Sequence, residues 1–215
     1  MVQSLLGLLL AYLAGSFPTG LVVGKLMFGR DPRETGSGAT GATNIYRTFG
    51  ARAAIPVMVI DIAKGALGVI CASILGRSSV LPLEAIRILG ALAAVLGHVF
   101  PVFAGFRGGK GVATAAGALL ILAPLAAMCS LGGFLLVIGL TGIVSASSIT
   151  AALILPIAVA FGVQGNPPDP WLLGFSICAA LFIVYTHRAN IRRILRGEEK
   201  PFEQFRFLRR GKGRR

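Results

Sequence analysis

VATAAGALLILAPLAAMCSLGGFLLVIGLTGIVSASSITAALILPIAVAFGV, residues 112–163, carries no formal charge. A stretch this long without Asp, Glu, Lys or Arg has no solvated face, so it belongs in hydrocarbon rather than in a soluble core. It breaks at Ala123-Pro124 and at Ser145-Ala146-Ser147-Ser148, giving segments of about 112 to 123, 125 to 144 and 148 to 163. A bilayer crossing takes about 20 helical residues, so the first segment reads as short, tilted or re-entrant. The serines fall between apolar runs, in a loop or at a helix cap, where Ser147 or Ser148 can lend a hydroxyl to a polar site.

Four further apolar segments lie outside this block, at about 4–27, 53–76, 84–104 and 171–186. With 55% hydrophobic and 13% charged residues, and a mean hydropathy of +0.80, the chain reads as an all-α polytopic membrane protein. About seven transmembrane helices are expected, in one membrane-embedded domain over 1–215 with a polybasic tail at about 188–215. The first segment is apolar almost from its start and has no basic n-region, so it reads as a membrane helix rather than a cleaved leader. Cys71, Cys129 and Cys178 each sit in an apolar segment and read as small packing residues, with no disulfide framework and no metal-ligand spacing.

The net charge of +13 would suit nucleic acid, but its placement fits the positive-inside rule. Lys25, Arg30, Arg33, Arg47, Arg52, Arg107, Lys110 and the eleven Lys and Arg of the tail, 18 of 21 in all, fall on one side of a seven-crossing topology. That side is the cytoplasm, which puts the N-terminus outside and the C-terminus inside.

Polar chemistry is confined to a few clusters. The segment GSGATGATNIYR, residues 36–47, joins Gly36, Gly38 and Gly41 with Ser37, Thr40, Thr43, Asn44 and Arg47. Glycines let backbone N–H groups converge on an anion, and hydroxyl, amide and guanidinium donors suit phosphate oxygens. The GxGxxG lettering does not make a dinucleotide fold, because a membrane-type segment rather than a strand precedes it. A plain polar connector would explain the glycines but not the clustered donors. The segment GFRGGKG, residues 105–111, repeats the logic with Arg107 and Lys110 among Gly105, Gly108, Gly109 and Gly111. Lys110 is followed by Gly111, so this is not a Walker A loop, and two interfacial anchors in a tight turn are its bland alternative.

Three polar features interrupt the apolar segments themselves. SFPTG, residues 16–20, should kink the first helix. Asp61 and Lys64 share a helix face, as an internal pair or as support for the glycine loops. His98 reads as a hydrogen-bonded helix residue. At the membrane surface His187 and Asn190 share a face, as interfacial anchors or as part of a site. Two non-enzymatic readings stay open on this evidence: a transporter for an organic phosphate, and a structural subunit with a nucleic-acid-binding tail.

The motifs taken together resemble the PlsY-type acyl-phosphate:glycerol-3-phosphate acyltransferases of bacteria. The resemblance is carried by SFPTG, GSGATGATN with Arg47, DIAKG at 61–65, GHVFPVFAGFRGGKG, the serine cluster and HRANIRRILRGEE at 187–199. Ala39 departs from it, since the family usually has Asn after GSG. The resemblance implies acyl transfer from acyl-phosphate to glycerol 3-phosphate, releasing lysophosphatidic acid and phosphate at the cytoplasmic face of the bacterial inner membrane. It implies catalytic roles for Arg47, Lys110, Ser148, His187 and Asn190, and substrate binding by Ser37, Gly38, Gly41, Thr43, Asn44, Arg107 and Gly109. It implies no cofactor, no metal and no nucleic acid; the expected partners are the two substrates, membrane lipids and the enzyme that makes acyl-phosphate.

Overall fold

The structure, a computed structural model, describes residues 2–77 and 79–208; the last basic residues of the tail, from Arg209 on, lie outside the described residues. Ten α-helices and no strand occur among the described residues. They are α1 (Val2–Ser16), α2 (Thr19–Phe28), α3 (Ala42–Phe49), α4 (Ala51–Leu75), α5 (Leu83–Val99), α6 (Val112–Leu122), α7 (Pro124–Thr141), α8 (Val144–Ala160), α9 (Pro170–Thr186) and α10 (Arg188–Leu195). Four stretches are long and apolar enough to cross a bilayer: Val2–Phe28, Ala51–Leu75, Leu83–Ala104 and Pro124–Thr141. A fifth arises if α9 and α10, bent by 61° at His187, count as one span, while α6 and α8 are shorter apolar helices. All seven expected apolar segments are therefore helical, with α6 the shortest at 11 residues.

The helix breaks follow local chemistry. Pro18 separates α1 from α2, as the SFPTG stretch leads one to expect. Pro124 opens α7 at its first position, where its missing N–H would have no intrahelical partner anyway. Gly142, at φ +72°, closes α7 in the left-handed conformation that spares glycine the Cβ clash. One expectation fails here. The serines lie not between helices but in the first turns of α8, which starts at Val144. Ser147 and Ser148 donate to the carbonyls of Ile143 and Val144 at 2.9 Å each, so their hydroxyls are satisfied by their own helix and do not break it.

The chain falls into two compact units, Met1–Leu122 and Ala123–Arg215. In the first, helices meet at small residues. Gly15 abuts the backbone of Ala94 and Gly97 the Tyr12 carbonyl, bringing α1 against α5; Gly65 abuts the Thr114 carbonyl and Gly117 the Ile62 carbonyl, bringing α4 against α6. Lipid tails remove the hydrophobic drive between helices, so close van der Waals contact through small residues takes its place. The amphipathic α3 buries Ile45 against Ala53, Ala54 and Val57, and Phe49 stacks on Phe28 with ring centroids 4.4 Å apart. That face anchors α3 and leaves Thr43 and Arg47 exposed.

In the second unit α7 packs on α8 and α8 on α9. Gln164 caps the start of α7, accepting from the Leu125 N–H at 3.0 Å. After α10 the chain returns across the α7–α8 turn, where the Phe202 and Leu208 N–H groups donate to the Gly142 and Gly139 carbonyls at 2.8 and 3.1 Å.

Candidate active site

The two glycine loops adjoin in the first unit. The Thr40 N–H donates to the Gly108 carbonyl at 3.4 Å, and a Cβ on Gly41 would stand 4.0 Å from the Gly109 Cα. Arg33 ties them further: its guanidinium pairs with Asp31 at 2.7 Å and its Nη1 donates to the Ala104 carbonyl at 2.9 Å. The hydrogen bond from Arg33 holds the Asp31 carboxyl below the usual carboxylate range, and Asp31 in turn holds Arg33 above its ordinary value. This strut was not legible in the sequence.

Asn44 organises the first loop. Its Oδ1 accepts from the Ser37 N–H at 2.8 Å, and its Nδ2 donates to the carbonyls of Pro32 at 2.8 Å, Thr35 at 3.2 Å and Ala39 at 2.8 Å. Its amide is spent on the backbone, so Asn44 shapes the loop. Gly36 is fixed by the same contact, because its φ is +61° and a Cβ would collide with Asn44 Oδ1. At Ala39 it is the main-chain carbonyl that is held. Around this frame Ser37, Gly38, Thr43, Arg47 and Arg107 are exposed, while Gly41, Gly109 and Lys110 are half-buried. Thr43 and Arg47 lie four apart on α3, whose N-terminus begins at Gly41 beside Gly109. Loop amides, a helix N-terminus and cationic side chains are donor types that suit a phosphate group.

Beneath the loops, Asp61 and Lys64 form the expected pair at 2.7 Å, and His98 joins it, with Nδ1 3.5 Å from Lys64 Nζ and 3.7 Å from Asp61 Oδ1. The side chains are at most 6% exposed.

The second unit holds its own polar cluster. His187 sits at the α9–α10 bend, buried, with Nδ1 2.8 Å from the Ile183 carbonyl. A carbonyl only accepts, so in the neutral ring Nδ1 carries the hydrogen and Nε2 is the basic nitrogen. Asn190 is equally buried and its Nδ2 donates to Glu199 Oε1 at 2.6 Å, where Ser145 Oγ also donates at 2.8 Å; Arg193 Nε binds Oε2 at 2.6 Å. Burial pushes the Glu199 carboxyl up, but the hydrogen bonds from Arg193, Asn190 and Ser145 together hold it below its ordinary value. Glu199 and Ser145 were missed as site elements; Glu199 is nine residues from Asn190, and only the turn after α10 brings it back. Ser148, by contrast, spends its proton on Val144 and offers its oxygen as an acceptor.

These features define a class: an all-helical membrane-type protein with two adjoining glycine loops that carry cations, and with a buried histidine at a helix bend. The sequence matches the glycerol-3-phosphate acyltransferase family over residues 5–197. The glycerol-3-phosphate acyltransferase of Chlorobium phaeobacteroides (strain BS1) is 41% identical over 219 residues, covering 89% of this chain and 93% of its own length. A crystal structure of PlsY (YgiH), an integral membrane glycerol 3-phosphate acyltransferase in its glycerol 3-phosphate form, matches with a TM-score of 0.83 at 35% identity, over 96% of this chain and 99% of that one. Its lysophosphatidic acid form matches with a TM-score of 0.80 at 34% identity, over 95% and 98%. The chain belongs to the glycerol-3-phosphate acyltransferase family, and transfer of an acyl group to glycerol 3-phosphate is its activity. Membership sets aside the transporter and the nucleic-acid-binding subunit.

Proposed function

We propose that the acyl donor is acyl-phosphate and that the reaction runs by direct transfer, without an acyl-enzyme. The observation that carries this reading is the junction of the two glycine loops, where the Thr40 N–H meets the Gly108 carbonyl and Arg47, Arg107 and Lys110 supply the charge. Two phosphorylated substrates call for more than one anion-binding loop. The primary hydroxyl of glycerol 3-phosphate attacks the acyl carbonyl, the ester C–O bond forms, and the bond from carbonyl carbon to phosphate oxygen breaks to release inorganic phosphate. Loop N–H groups, Arg47 and Lys110 stabilise the tetrahedral oxyanion and the leaving phosphate. Ser37, Gly38, Gly41, Thr43, Arg107 and Gly109 hold the phosphate groups, with Asn44 shaping the loop.

From the second unit the reading assigns Ser148, His187 and Asn190 to the reaction. His187 Nε2 takes the hydroxyl proton, and a substrate phosphate oxygen is the other acceptor for it. Holding both substrates in attack geometry supplies much of the rate. The product is lysophosphatidic acid. The reaction is placed at the cytoplasmic face of the bacterial inner membrane, where an acyl-phosphate-producing enzyme delivers the donor and no cofactor is needed.

The test is phosphate release by the purified chain in detergent, given acyl-phosphate with and without glycerol 3-phosphate, with acyl-CoA offered as a rival donor. Release that needs the acceptor, yields lysophosphatidic acid and falls by about 100-fold or more in Arg47→Ala is expected. Turnover with acyl-CoA alone would overturn the donor assignment, and near-normal turnover in His187→Ala would hand the proton to the substrate phosphate.

A further inference from the structure

The geometry points to Asp61, Lys64 and His98 as a positioning triad that sets the spacing of the two glycine loops, and through it the affinity for phosphorylated substrate. The inference rests on the loops being the phosphate cradle. Lys64 Nζ sits 2.7 Å from Asp61 Oδ1 and donates to the Phe17 carbonyl at 2.8 Å, the carbonyl at the break between α1 and α2. From that break α2 runs directly under the first loop: a Cβ on Gly20 would collide with the Thr40 carbonyl. On its other side Lys64 faces His98 Nδ1 at 3.5 Å. His98 carries the second loop twice over. Its carbonyl accepts from the Gly109 N–H at 3.1 Å, and its ring packs so closely on Gly109 that a Cβ there would strike Nε2. One small cavity touches Thr19, Thr40, Asp61, Lys64 and His98, so the roots of both loops and the ion pair share a wall.

Stability alone does not account for the pair. Removing two charges from water costs several kcal/mol per ion, and well-packed apolar residues would serve a helix interface as well or better. An ammonium has what an apolar residue lacks: a charge that pairs with the Asp61 carboxylate, and N–H donors for the Phe17 carbonyl and the His98 imidazole at set distances. Lys64 thereby defines where α2 and the end of α5 stand relative to α4, and the two loops are carried on those elements.

The experiment compares the full chain with Lys64→Met, the charge-neutral double variant Asp61→Asn/Lys64→Met, and His98→Asn, reading thermal unfolding, kcat and the KM for each phosphorylated substrate. Lys64→Met alone strands a buried carboxylate and unfolds earlier; the double variant regains thermal stability because no charge is left unpaired. A positioning triad keeps the KM for glycerol 3-phosphate or acyl-phosphate raised by about tenfold or more in the double variant, with kcat within about threefold of the parent. Recovery of KM together with stability would show a packing pair and overturn the inference, as would a collapse of kcat at unchanged KM. If the double variant does not fold, His98→Asn decides: folded protein with raised KM supports the triad, and folded protein with parental KM ends it. Donor identity is read separately on the unsubstituted chain, so a wrong donor and a wrong triad give different results.

Discussion

Asn44 is the residue on which the first loop depends. A buried amide that makes four backbone hydrogen bonds across residues 32–39 cannot be replaced by a smaller side chain without leaving those groups unsatisfied. Asn44→Ala should destabilise the protein by about 1–3 kcal/mol and raise the KM for phosphorylated substrate, measured by thermal unfolding and steady-state kinetics. Asn44→Asp should do worse, since a carboxylate would face the Pro32 and Ala39 carbonyls. At Glu199 the testable quantity is pH dependence. Its folded-state pKa is depressed, so the stability it contributes is fully present above the ordinary carboxylate range and is lost as pH falls through the folded value. The unfolding temperature of the parent should drop more steeply below about pH 4.3 than that of Glu199→Gln, and superimposable profiles would contradict this.

At the scale of the helix, glycine positions separate into those that set an approach and those that do not. A Cβ at Gly117 would run into the Ile62 carbonyl, so Gly117→Ala must part α4 from α6 and should lower stability by about 2 kcal/mol or more. Gly174 in α9 has nothing within 4 Å, and Gly174→Ala should be neutral or stabilising by up to about 1 kcal/mol through helix propensity. Differential scanning of the two variants in the same detergent checks both. The sequence announces both glycines equally; their neighbours distinguish them. The same holds for the serine cluster of α8, whose composition suggested a loop and whose back-bonding to the preceding turn keeps it helical.

For the whole molecule, the charge distribution carries a topological prediction. With the N-terminus outside and the C-terminus inside, a single cysteine at Ser79→Cys should react with a membrane-impermeant thiol reagent in intact cells, and one at Glu198→Cys only after permeabilisation, in a background lacking Cys71, Cys129 and Cys178. Equal labelling of both before permeabilisation would overturn the orientation. The described tail does more than spread basic charge: Glu199, Phe202 and Leu208 bind it across the turn between α7 and α8.

The sequence by itself determined the all-helical, membrane-type class, the seven apolar segments, the break at Pro18 and the presence of two glycine-rich loops that carry cations. Each is written in local composition: charge-free runs, proline, and glycine beside cations. Asp61 and Lys64 were legible as a pair because helical spacing alone puts them on one face. The tertiary structure alone decided that the two loops touch, that Asn44 spends its amide on the backbone of the first loop, and that His98 completes the Asp61–Lys64 pair. It alone brought Glu199 back to Asn190 and Ser145. The junction of the loops and the bonds of Asn44 run to main-chain carbonyls and N–H groups, which every residue possesses and which leave no mark on the sequence, while His98 and Glu199 meet their side-chain partners only once the chain has folded.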